Sequence, residues 1–394
     1  MRCDVLVVGA GPAGAAAAVT AANRGRHVIL VDKAGFPRDK TCGDGLTAGA
    51  LRGFETLGLD VRAVPTYEPI RETVIVSPSG RRVTLPLPPD AEYAGVVPRL
   101  DLDAALVDVA RNCGVEVRER AEVTGLGERD DGITATVTDG DEIRASTVIA
   151  ADGHYSSVRR LRGSLPPDLG KWHAFRQYYR NVDERRLWVL FEQDLLPGYA
   201  WMFPLPDGRA NVGFGLERRR GIDGHKIRAA WRNLLARPTL RDALGDRAEP
   251  ESSHRAWPIP AWDGRLPLTD GRVLYVGDAA AVVDPMTGEG IAQALDTGML
   301  AAEAHAAGGG PAAVAARYRS AVRHQLRSDF VLARLLSTVL RSPFRTRAAL
   351  RVIDANDWCR RNFARWMFED YPRAILATPR RWRPGMLAAA GAYR

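Results

Sequence analysis

Two strand–turn–helix units with glycine-rich turns, a series of β-like segments between them and an Arg-rich helical tail predict an α/β fold. The expected plan is a Rossmann-like domain on a parallel sheet, an inserted antiparallel-sheet domain and a helical C-terminal segment. Residues 1–72, 96–165 and 265–310 are assigned to the first, 73–95 and 166–264 to the second, and 311–394 to the third.

The first unit opens the chain. Val5 to Val8 are consecutive apolar residues, a short buried strand. Gly9, Gly11 and Gly14 follow with the spacing of a dinucleotide-binding turn. Gly9 permits the tight turn, Gly11 lets the backbone approach a pyrophosphate, and Gly14 lets the next helix pack closely on the strand. That Ala-rich helix, opening at Pro12 and Ala13 and spanning residues 12–24, aims its N-terminus at the phosphates, where free N–H groups and the helix dipole favour negative charge. A second apolar strand, residues 27–31, ends in Asp32, placed to bind a ribose hydroxyl.

Residues 33–47 hold three glycines and a proline and are expected to form a loop near the pyrophosphate. Lys33, Arg38 and Lys40 are suited either to neutralising phosphates or to a solvated basic loop. Cys42 lies beside Gly43 and Gly45, an unusual setting for a buried structural cysteine. Residues 73–77 and 82–87 alternate around a Pro-Ser-Gly turn and predict a hairpin. A helix is expected over residues 100–113, with Asp101 and Asp103 in its first turn. Arg99, at the unfavourable end of that dipole, suggests an anionic or polar partner.

Residues 115–118 and 121–126 read as strands, 133–138 and 142–144 as a hairpin, and 148–151 as a buried strand ending in Asp152-Gly153. That Asp-Gly falls at the carboxyl edge of the sheet, where open α/β sheets bind ligands. Four β-like runs follow within residues 173–216, then a helix over 222–235 and a connecting stretch with Trp257 and Trp262. Tyr199, Trp201 and Phe203, before Pro204, share one face by the period-2 rule; they form either core or the wall of an apolar cavity. The second unit is a strand at residues 273–276, then Gly277-Asp278, Pro285, the turn Gly288-Glu289-Gly290, and a helix over 289–305 that presents N–H groups from Gly288 to Ile291.

Composition narrows the class. The chain has 394 residues, 46% hydrophobic and 26% charged, as expected of a globular protein. No apolar run approaches the ~20 residues of a membrane span. The opening strand leaves no signal peptide, and Cys3, Cys42, Cys113 and Cys359 show neither disulfide nor metal-ligand spacing, so a cytoplasmic setting without a metal is expected. From Arg341 onward there are 12 Arg and 4 acidic residues, which accounts for the whole net charge of +8. Apolar residues Val314, Tyr318, Val322, Leu326 and Phe330 recur at helical spacing ahead of it. The Arg and aromatic mixture beyond Arg341 suits a helical cap on the core or a peripheral contact at the inner face of the membrane. No nucleic-acid module accompanies the charge.

Together these motifs resemble the FAD-dependent para-hydroxybenzoate hydroxylase superfamily. The first glycine turn is similar to its ADP-binding fingerprint, Asp152-Gly153 to its Asp-Gly motif, and Gly277-Asp278 to its Gly-Asp motif, whose Asp contacts the flavin ribityl chain. By the same resemblance Pro285 and Gly288 to Ile291 lie against the isoalloxazine ring and Arg99 contacts FAD. Lys33, Cys42, Gly43 and Val123 complete the expected cofactor set. Within the superfamily, Phe36 to Leu46 resembles the Cys-Gly segment of the geranylgeranyl reductase family, and Tyr199-Ala-Trp-Met-Phe-Pro204 its Tyr-x-Trp-x-Phe-Pro lipid-contact motif. The resemblance implies reduction of isolated C=C bonds in an isoprenoid chain such as a geranylgeranyl group or a menaquinone tail. The alternative it carries is an FAD- and NAD(P)H-dependent monooxygenase of an aromatic or polycyclic metabolite, with a non-redox FAD-dependent cyclase behind it. No second nucleotide turn is present, so the reductant is NAD(P)H bound without its own Rossmann domain, or a protein electron donor. Saturating an unactivated alkene takes a hydride, which a reduced flavin supplies, and a proton, for which Cys42 is the candidate by position.

Overall fold

The computed structural model describes residues 1–87, 92–165, 170, 172–218 and 224–382. Its first sheet has a parallel centre. Arg2–Val8 pairs with Val28–Val31 on one side and Glu142–Ala150 on the other, and Glu116–Arg118 and Val273–Tyr275 extend it outward. Val5 to Val8 are all buried, as expected where a parallel strand is covered on both faces. The helix Pro12–Asn23 packs against Ile291–Ala306 at close range, because small residues line the contact. A Cβ on Gly298 would lie 2.2 Å from the Ala13 carbonyl oxygen.

Three sequence expectations are corrected here. Residues 142–144 and 148–151 are one nine-residue strand, Glu142–Ala150, which pairs with the antiparallel strand Gly132–Val137 at its start and with Arg2–Val8 along its length. The loop expected up to Thr47 ends in a short strand, Gly45–Thr47, paired with Ala94–Val96. The connecting stretch around Trp257 is a strand, Arg255–Ile259, on the edge of the second sheet. The pairings that extend the first strand to Ala150 and that make the other two strands are with residues remote in sequence, so local pattern did not announce them.

The second sheet runs, in spatial order, through Glu249–Pro250, Trp172–Arg180, Arg209–Glu217, Ala200–Leu205, Leu187–Leu190, Glu72–Val76 and Arg82–Pro86. Its pairs are antiparallel except Leu187–Leu190 with Glu72–Val76. The expected hairpin therefore joins this sheet rather than the first. One face carries Phe175, Met202 and Phe214, packed with Trp231 of the helix Gly224–Leu235. The Phe175–Phe214 and Phe214–Trp231 ring centroids lie 5.1 and 5.9 Å apart. The expected start of that helix, Ile222, lies outside the described residues. The other face looks into the cavity described below.

The helix Pro311–Leu340 buries Val314, Tyr318, Val322, Leu326 and Phe330 on the core of the first sheet, as the helical spacing predicts. Pro343–Ile353 and Asp357–Met367 then turn back, and Leu350, Ala364 and Phe368 join a core with Ile75, Val83 and Val189 of the second sheet. Among the described residues no helix is long and apolar enough to cross a membrane.

Candidate active site

A single cavity of about 670 Å3 runs from the first glycine turn to the C-terminal helices. Its first part runs along the first glycine turn and the N-terminus of the helix that follows. Gly11 caps the helix Pro12–Asn23 with no side chain of the described residues capping its amides and no acid in the first turn. A Cβ on Gly11 would come within 3.5 Å of Arg99 Nη2 and 3.7 Å of Arg38 Nη2, so two guanidinium groups face the helix N-terminus. Arg99 is buried and donates from Nε and Nη2 to Asp103 at 2.6 and 2.7 Å, while Arg38 Nη1 donates to the same carboxylate at 3.0 Å. The anionic partner expected for Arg99 thus includes the chain's own Asp103, and Arg38 Nη2 also lies 3.7 Å from Asp32 Oδ2, so the two guanidinium groups stand against two carboxylates and what they add beside the helix N-terminus is a row of N–H donors suited to a diphosphate. Asp32 Oδ2 accepts from the Ala10 N–H at 2.7 Å and its Oδ1 from Ala34 at 2.8 Å, which fixes the carboxylate at the end of its strand. Asp152 Oδ2 accepts from Val158 at 3.0 Å, while its buried Oδ1 has no hydrogen-bond partner among the described residues. That unmet acceptor, the bare helix amides and the glycine gap are what a dinucleotide with hydroxyl donors and a diphosphate requires. Burial lowers the Lys40 ammonium to about 8, and its Nζ lies 3.5 Å from the Trp257 ring centroid.

The middle of the cavity joins the two stretches that the resemblance singled out. Gly43 and Gly45 lie against Trp201 and Phe203; added Cβ atoms would come within 3.5 and 2.9 Å of Phe203 Cε2. Asn211, on the next strand, fastens the loop. Its Nδ2 donates to the Cys42 carbonyl at 2.9 Å and to Asp44 Oδ2 at 2.7 Å, and its Oδ1 accepts from Trp201 Nε1 at 3.0 Å. Tyr178 Oη donates to Asp44 Oδ2 at 2.6 Å, and the Arg99 amide to Oδ1 at 3.3 Å. Asp44 went unread in the sequence; its signal is an acid between two glycines in a loop otherwise read as basic. Burial, reinforced by Asp44, pushes the Cys42 thiol up to about 11, so it remains a thiol at neutral pH.

The far part is apolar. Ile75, Val189, Leu336, Leu340, Leu350 and Ile353 line it, so the C-terminal segment supplies one wall. Between the two parts lies the second glycine loop, with Pro285, Gly288, Gly290 and Ile291 all on the cavity. Asp284 Oδ1 accepts from the Met286 and Thr287 amides at 2.9 and 2.8 Å and holds the loop closed. The amides expected to face a ligand are in part engaged. The Gly288 N–H donates to the Asp284 carbonyl, Glu289 to Thr287 Oγ1, and Ile291 to Glu289 Oε1.

Of the residues expected at the cofactor, Gly9, Gly11, Pro12, Ala13, Asp32, Lys33, Cys42, Gly43, Arg99, Val123, Asp152 and Asp278 line the same cavity as the loop residues above. Tyr199, Trp201 and Phe203 line it too. Three expected residues do not. Gly14 faces the strand instead, where a Cβ would lie 1.7 Å from the Gly9 carbonyl oxygen. Gly277, at φ +55°, is a close contact to Ala13 rather than a ligand contact. Pro204 follows Phe203 on the strand and falls on the opposite face, by the alternation that puts Phe203 on the cavity.

The class that this fold and cavity define is an enzyme of a dinucleotide cofactor with an apolar substrate chamber. A family model described as an FAD binding domain matches residues 2–313. The chain is 35% identical over 334 residues to a menaquinone reductase of Mycolicibacterium smegmatis, across 78% of this chain and 77% of that protein. It is 31% identical over 321 residues to digeranylgeranylglycerophospholipid reductase 2 of Methanopyrus kandleri, across 77% of this chain and 76% of the other. A solved geranylgeranyl bacteriochlorophyll reductase-like protein of Thermoplasma acidophilum has the same fold, with a TM-score of 0.81 at 22% identity, covering 97% of this chain and 99% of that one. The chain belongs to the geranylgeranyl reductase family of FAD-dependent oxidoreductases, and FAD is its cofactor.

Proposed function

We propose that this enzyme saturates C=C bonds in an isoprenoid chain, that of a menaquinone or a geranylgeranyl lipid. The observation that carries the reading is the continuity of the cavity. The cofactor cradle opens past Cys42 and the Tyr199–Trp201–Phe203 face into a chamber walled by aliphatic side chains. A hydrocarbon chain is the ligand that such a chamber binds without leaving a polar group unpaired. The relatives named as menaquinone and digeranylgeranylglycerophospholipid reductases support the same substrate class.

In this reading the Gly9–Ala13 turn, Arg38 and Arg99 hold the diphosphate, Asp32 the adenosine ribose, and Asp278 with the 285–291 loop the flavin end. Bound FAD supplies the hydride when reduced. The chain's own part is to orient the alkene on the aromatic face, exclude water and supply a proton. The reductant is NAD(P)H or a protein donor. The C-terminal segment exposes Val331, Leu335, Phe344, Val352, Trp358, Leu376 and Trp382 among its arginines, a surface suited to peripheral membrane contact where a lipid substrate would enter.

Anaerobic turnover of the dithionite-reduced holoenzyme with a menaquinone and with a geranylgeranyl phospholipid tests the activity. The expected product gains one pair of hydrogens per saturated bond. A product that gains oxygen under air assigns the monooxygenase chemistry instead, and an isomer of unchanged mass the cyclase. Vesicle co-sedimentation tests the surface: binding to anionic vesicles that weakens with salt is expected, and its absence even at low salt overturns the membrane contact.

A further inference from the structure

Among the described residues, the junction between the two parts of the cavity gathers more carboxylates than cations to neutralise them. Arg373 is 3% exposed, 2.9 Å from Asp284 and 3.2 Å from Glu369. Glu289 is close enough to feel the charges of the same guanidinium and of Glu369, and its own charge acts on Tyr199 of the aromatic strand, whose hydroxyl donates to the Thr287 carbonyl, and on Cys42 of the cysteine loop. Arg52 and Arg365, the next cations, pair with Asp370 instead. Three carboxylates around one buried cation favour retention of a proton.

Hydrogen bonding indicates which group holds it. Asp284 has Arg373, two amides and the Thr287 hydroxyl. Glu369 has Arg373, the Thr47 hydroxyl at 2.9 Å and Gln293 Nε2 at 2.9 Å. Glu289 has the Ile291 and Ala292 amides, at 2.9 and 3.2 Å, both on Oε1. It is also the one of the two glutamates that lines the cavity. We propose that Glu289 is the acid that supplies the proton at this cavity, with Glu369 and Arg373 of the C-terminal segment as its positioning partners. The inference rests on the reductase reading above.

Burial first, then the charge of Glu369, pushes the Glu289 carboxyl well above the ordinary glutamate value. The Cys42 thiol, at about 11, is the weaker acid of the two neighbours. In the step, the Glu289 O–H bond breaks as a C–H bond forms at one alkene carbon. The other carbon would receive the hydride that bound, reduced FAD would supply, and NAD(P)H or the protein donor would replace those two electrons. The carboxylate left behind is held by the Ile291 and Ala292 amides until solvent returns the proton.

Glu289→Gln keeps an oxygen for the two amides and removes the acid. Infrared spectra of the holoprotein at neutral pH are expected to show a protonated carboxyl band that E289Q lacks. Glu369→Gln, by removing the neighbouring charge, is expected to move the disappearance of that band to lower pH. In anaerobic single turnover with menaquinone, E289Q is expected to lose about 100-fold or more in alkene saturation while retaining FAD and its reduction by dithionite. A band unchanged in E289Q, or a smaller loss of rate, overturns the proposal. A wild type that reduces neither menaquinone nor geranylgeranyl lipid overturns the reductase reading, and the infrared result separates that failure from a wrong choice of acid.

Discussion

Asp44 is fully buried, in the left-handed region at φ +65°, and accepts from Tyr178, Asn211 and the Arg99 amide. Burial outweighs these donors and pushes its carboxyl from 3.8 up to about 6. The folded state therefore holds the proton more tightly than the unfolded chain. The stability this provides is fully present below about pH 4 and is lost as the pH rises through about 6, a swing of up to about 3 kcal/mol. Urea unfolding of wild type and Asp44→Asn across this window checks it. The wild type is expected to lose stability relative to the variant as pH rises; a difference independent of pH would show that Asp44 does not titrate there. Cys42→Ser is expected to retain FAD, and unchanged turnover would leave the thiol with a packing role only.

At the scale of elements, the cradle proposed for the cofactor depends on how closely one helix approaches two neighbours. Gly14 lets Pro12–Asn23 sit against the Gly9 turn, and Gly298 lets Ile291–Ala306 sit against Ala13. Gly14→Ala places a methyl into a backbone oxygen, so the helix must move off the strand. A loss of about 3 kcal/mol or more and of bound FAD is expected; thermal melting and the flavin-to-protein ratio measure both, and wild-type values for the two would refute the packing role. Gly290→Val is expected to weaken FAD retention, since its Cβ starts 3.0 Å from Val283 Cγ2 in the loop at the cavity junction. Equal FAD affinity in a titration would remove this loop from the flavin site.

At the scale of the molecule, the C-terminal segment closes the cavity and is tied down by charge as well as by packing. Arg373 connects it to Asp284 in the glycine loop, and Arg381 connects it to Asp329 in the long helix at 2.8 Å. Arg373→Met leaves Asp284 and Glu369 without their shared cation. A loss of about 3–5 kcal/mol is expected, together with faster hydrogen exchange in Asp357–Met367; an unchanged melting temperature would mean that packing alone holds the segment. Most of the aromatics beyond Arg341 divide in the same way: Phe368 and Tyr371 are buried and Trp366 lines the cavity, while Trp358 and Trp382 remain exposed at 64% and 52%. One face of the segment thus caps the core, and the exposed aromatics on the other make the surface proposed for membrane contact.

What the sequence by itself determined is the chemistry encoded in short range: the glycine spacing, Asp32 at a strand end, the Asp278 and Pro285 to Ile291 loop, and the aromatic alternation from Tyr199 to Phe203. These motifs are contiguous because a turn, a helix N-terminus and a strand face are local objects. Tertiary structure decided what depends on residues far apart. It set Asp44 between Tyr178 and Asn211, brought Glu369 and Arg373 to Glu289, and gave the cavity an apolar wall from Leu336 to Ile353. A carboxylate's proton affinity and a chamber's polarity are properties of the surroundings, and those surroundings exist only once the C-terminal segment has folded back over both sheets.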